Sequence, residues 1–84
     1  MPRKMNQSKT ILKHMFSDVY DSQEAMKLAL CTQEEVDSYL KEFAECMWHE
    51  AYVEVDYSAV TLPQWRNAAL MAMKQLISDE QENA

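Results

Sequence analysis

LALCTQEEVDSYLKEF, residues 28–43, closes one helix and opens another. Thr32 and Glu35 have capping-box spacing: a threonine hydroxyl meets the N–H three residues on, and the glutamate reaches back. Behind them Val36, Leu40, Phe43 and Met47 recur at helical spacing as one apolar stripe, flanked by Tyr39 and Ala44. Phe43 stands mid-stripe as a core residue. The remaining faces carry Glu34, Glu35, Asp37, Glu42 and Glu45. That acidity decides which functions are open to the chain.

Working outward, Ile11, Met15 and Val19 with Leu12, Phe16 and Tyr20 predict a first helix beginning after Asn6 or Ser8. Asp21 with Glu24 predicts the start of a short second helix that buries Ala25, Met26, Leu28 and Ala29. Thr61 with Gln64 marks the last helix, with Pro63 in its first turn where a missing N–H costs little. Its inward residues are Trp65, Ala69, Leu70, Met73, Leu76 and Ile77. Between the third and last helices, Val53, Val55 and Tyr57 alternate like a strand. A lone strand has no evident partner in the chain, so an extended connector over residues 52–59 is expected, with pairing to a second copy as the alternative. The expected fold is all-α: one small four-helix domain over residues 1–84, tri-helical in the manner of a helix-turn-helix. A basic arm (1–7) and a polar tail (79–84) should be flexible.

Composition supports helices. The 84 residues contain no glycine and two prolines, which leaves few breakers for a many-turned β-fold. The net charge is −6, unevenly spread. Residues 1–14 hold Arg3, Lys4, Lys9 and Lys13 and no acid, whereas residues 15–60 hold eleven acids against Lys27 and Lys41. A body so negative repels phosphate and attracts basic surfaces. With no apolar run near the length of a bilayer span and only Cys31 and Cys46, a cytoplasmic protein with reduced thiols is expected.

Residues 25–40 follow the helix-turn-helix pattern of small residue, turn and mid-helix branched residue when Val36 takes the last role. Leu30 then stands where glycine is favoured for a positive φ. A reading helix meets bases through its first residues, here Gln33, Glu34, Glu35 and Asp37, with no cation until Lys41. Those carboxylates are better matched to the helix N-terminus, whose dipole favours negative charge.

ECMWHE (45–50) sets Cys46 and His49 one turn apart, short of the four ligands a structural zinc needs. No metal, cofactor or catalytic residue is assigned, and the absence of a nucleophile motif or glycine-rich loop argues for a non-enzyme. Cys46 reads as a small half-buried hydrophobe. Trp48, just off the core stripe beside Glu45 and Tyr52, is either an anchor ringed by acids or a lid on the core.

The expected function is therefore a small acidic interaction module, possessing no enzyme activity. Its face of Glu34, Glu35, Asp37, Glu42, Glu45 and Trp48 would engage a basic, nucleic-acid-associated surface on a larger protein. Carboxylates there would stand in for phosphates, as in phage- or plasmid-type inhibitors and DNA mimics of similar size and charge. The alternative is a dimeric helix-turn-helix regulator or packaging protein that holds DNA through Arg3, Lys4, Lys9 and Lys13. No membrane partner is expected, and a homodimer is compatible with either.

Overall fold

A computed structural model describes residues 3–82. The order is β1 (Arg3–Met5), α1 (Ser8–Met15), a 3-10 turn (Phe16–Asp18), α2 (Ser22–Ala29), α3 (Gln33–Ala51), β2 (Val53–Val55) and α4 (Leu62–Glu82). Helix dominates, and the molecule is elongated, 47 × 25 × 17 Å. The outermost residues of the expected arm and tail, 1–2 and 83–84, lie outside the described part.

Three helix starts are capped as their sequences require. Thr32 Oγ1 accepts from the Glu35 N–H at 3.3 Å while Glu35 Oε1 accepts from the Thr32 N–H at 3.0 Å. Thr61 and Gln64 make the same reciprocal pair, at 3.3 and 3.0 Å. Asp21 caps α2 by accepting from the Gln23 N–H at 2.9 Å, not from that of Glu24.

The core is built around Trp65, fully buried at the start of α4 with Ile11, Leu12, Cys31, Val36, Leu40 and Val60. Its ring meets Phe16 edge-on at 5.0 Å and stacks on Tyr39 at 5.9 Å. Its indole N–H donates to the Leu28 carbonyl at 2.6 Å. That bond ties the C-terminal end of α2 to the N-terminal end of α4, and α2 then packs antiparallel along α4. Ala25, Ala29 and Ala69, all buried, let the two backbones approach.

Three expectations are corrected. The connector is a strand, and its partner is the arm: β1 and β2 pair in parallel, with Arg3 opposite Val53, Lys4 opposite Glu54 and Met5 opposite Val55. The Asp56 N–H donates to the Met5 carbonyl at 2.8 Å and extends the ladder, so the arm is anchored over Arg3–Met5. Met5 and Val55 pack against the core, which supplies the apolar contact that an isolated strand lacks. The first helix stops at Met15, because Ser17 Oγ donates to the His14 carbonyl at 2.7 Å and the chain tightens into the 3-10 turn. Val19 and Tyr20 therefore leave the helical face, and Tyr20 is exposed. α4 itself continues to Glu82. Leu30 has φ −94° and ψ 4°, so the α2–α3 turn closes without a left-handed residue. The left-handed residue is Tyr52 instead, at φ 52°, where α3 ends and β2 turns back along it.

Candidate functional site

α3 carries the acidic face. At about 100° per residue, Glu34 and Glu45 point away from the buried Val36 and Leu40. Glu35 and Glu42 occupy one flank with Tyr39, while Asp37 and Trp48 occupy the other. The six residues thus wrap the exposed circumference of α3 rather than forming one stripe, over about 21 Å of helix. All six are exposed.

They differ in what already holds them. Glu35 is committed to the Thr32 backbone N–H, and that bond, followed by the Thr32 hydroxyl, lowers its pKa from the ordinary glutamate value. Asp37 Oδ1 accepts from Gln33 Nε2 at 2.9 Å within the same helix. Glu34, Glu42 and Glu45 make no such local bonds, which leaves them the carboxylates most available to a partner.

Trp48 is 41% exposed and Tyr52 59% exposed, and their rings lie 4.5 Å apart. Trp48 therefore does not cap the core against the last helix. It pairs with the residue that ends α3, and a shallow depression of about 270 Å³ beside it is lined by Lys41, Ala44, Glu45, Val53 and Glu54. The left-handed turn at Tyr52 carries its ring back onto Trp48. Sequence reasoning placed Trp48 beside Tyr52 but missed Glu54, which joins the patch because β2 turns back along α3 at Tyr52.

The four basic residues do not share one surface. Lys4 sits in β1 opposite Glu54, and it contributes to the lowered pKa of Asp56, whose first causes are bonds from the Ser58 hydroxyl and N–H. Arg3 lies with His14 and Thr10 around a cleft by the sheet. Lys9 and Lys13 instead rim a groove between α1 and α4, floored by Leu12, Phe16, Ala68 and Met71.

Cys46 is exposed, not half-buried, and His49 is exposed with it. Among the described residues no three His, Cys, Asp or Glu side chains converge as metal ligands. Cys31 is buried, its thiol donating to the Lys27 carbonyl at 3.5 Å. Burial, and then the nearby Glu35 charge, push that thiol up. No helix among the described residues is long and apolar enough to cross a membrane. Comparison with family models, with curated proteins and with solved structures gives no match.

Proposed function

We propose that this chain is a non-enzymatic interaction module that presents α3 to a basic surface of a larger, nucleic-acid-associated protein. The observation that supports it is the exposed Trp48–Tyr52 pair set among Glu45 and Glu54. An aromatic anchor supplies contact area at low entropic cost, and a carboxylate rim steers a cationic partner and sets its register. Glu34, Glu42 and Glu45 are the steering charges, and Trp48 is the anchor. Blocking a nucleic-acid-binding surface is the use that best suits such a face, with carboxylates occupying phosphate positions.

The competing reading is a helix-turn-helix regulator that grips DNA with the basic arm. The division of Arg3 and Lys4 from Lys9 and Lys13 weighs against it. The two readings separate on duplex DNA and on affinity capture. The wild type should not bind duplex DNA at low salt, and it should capture a basic protein that is lost with Trp48→Ala. The same capture should become less salt-sensitive with Glu34→Gln, Glu42→Gln and Glu45→Gln combined. Retention on duplex DNA that is abolished by Lys9→Glu with Lys13→Glu would overturn the interaction-module reading in favour of the arm.

A further inference from the structure

One flank of α4, beside its buried Trp65–Ala69 side, carries a row of Arg66, Leu70, Met73, Ile77 and Glu80. Steps of four, three, four and three residues are the spacing that keeps a seam on one side of a helix. Its apolar members are only partly covered within the chain: Leu70 is 43% exposed, Ile77 40% exposed, and Met73 half-buried. The sequence stripe had assigned all three inward. Only Trp65 and Ala69 are fully buried, because α2 stands along the neighbouring face of α4 and the small side chains of Ala25 and Ala29 take up the contact.

The row is self-complementary under a two-fold axis. In an antiparallel pair of α4 helices centred at Met73, Met73 faces Met73, and Leu70 of one copy lies opposite Leu76 and within one residue of Ile77 of the other. Arg66 of each copy then meets Glu80 of the other, at both ends of a seam about 21 Å long. A parallel pair would set Arg66 against Arg66 and Glu80 against Glu80. We infer that the chain forms an isologous antiparallel dimer through this row, with the second copy of the same chain as the occupant of the face. None of the acidic or aromatic residues of the α3 face belongs to this row.

Sedimentation velocity across a dilution series tests this, with helix content followed by circular dichroism. The wild type should sediment as a dimer, and Ile77→Glu as a monomer of unchanged helicity. Arg66→Glu alone and Glu80→Arg alone should each weaken dimerisation, by up to about tenfold for two exposed pairs. Mixing those two variants restores complementary ends in the heterodimer, and the double variant Arg66→Glu/Glu80→Arg restores them in the homodimer. A wild type that stays monomeric to millimolar concentration would overturn the inference, as would an Ile77→Glu variant that remains dimeric. Failure of both the mixture and the double variant to recover association would exclude the antiparallel register.

Discussion

α3 and α4 begin alike and end differently. Each opens with a reciprocal Thr-x-x-Glu or Thr-x-x-Gln cap, each commits its first turns to the core, and each then runs beyond full cover. Burial is complete at Val36 and Leu40 on one helix and at Trp65 and Ala69 on the other. Past those residues α3 shows carboxylates and a paired Trp48 and Tyr52, while α4 shows the aliphatic row Leu70, Met73 and Ile77. Two helices of similar construction therefore offer surfaces of opposite chemistry. Stability resides in their first halves, and the proposed recognition in what they leave uncovered.

The largest test of that division is Trp65→Ala. Loss of the fully buried ring should cost about 3–5 kcal/mol, enough to threaten a domain of this size. Both helices should fail together in thermal melts, because Phe16, Tyr39 and the Leu28 carbonyl all converge on that ring. Trp65→Phe isolates the hydrogen bond and should lose about 0.5–1.5 kcal/mol for it, beyond the change in packing. Phe43→Ala should cost less than the Trp65 deletion, since Phe43 is only half-buried at the edge of the core. Equal costs in chemical denaturation would mean that the core extends farther along α3 than the division allows.

Next comes the cap of α3. Thr32→Ala should lose about 1 kcal/mol. The companion carboxylate makes the cap pH-sensitive: Glu35 titrates lower in the folded chain than in the unfolded one. Its contribution is complete above the unfolded value, near pH 4, and is lost as pH falls through the lower folded value. Glu35→Gln keeps an acceptor without the charge, so acid unfolding curves should show weaker pH dependence, with the neutral-pH cap retained. The Thr61–Gln64 cap of α4 already has that form. An unchanged acid curve in Glu35→Gln would show that another carboxylate governs it.

The smallest expected effect is at Tyr52. A non-glycine residue at φ 52° carries a cost of roughly 1 kcal/mol, so Tyr52→Gly should slightly stabilise the fold while removing the ring that faces Trp48. A net loss in thermal melts would assign the Trp48–Tyr52 pair to structure rather than to recognition.

Local signals were the legible ones. The capping boxes at Thr32 and Thr61 and the Asp21 cap announced three helix starts, and Val36 and Leu40 announced the core side of α3. The β1–β2 ladder was not legible, because Arg3 and Lys4 resemble no strand and their partners lie some fifty residues away. Only contact with the core through Met5 and Val55 makes the pairing worthwhile, and that is a property of the folded molecule. The early end of α1 turned on one serine hydroxyl bond. Leu70 and Ile77 were misassigned because periodicity reports that a face is apolar, not whether this chain or another covers it. Likewise, the acidic composition of α3 was plain, but the commitment of Glu35 and Asp37 to local bonds was not.

The division between the two helices is tested most directly by residue-resolved NMR of the wild type on dilution. The account predicts concentration-dependent shifts at the Leu70, Met73 and Ile77 backbone amides, with the Trp48 indole N–H unmoved. Shifts centred on Trp48 and Tyr52 with α4 silent would contradict it, because the chain would then be associating through the face assigned here to a different protein.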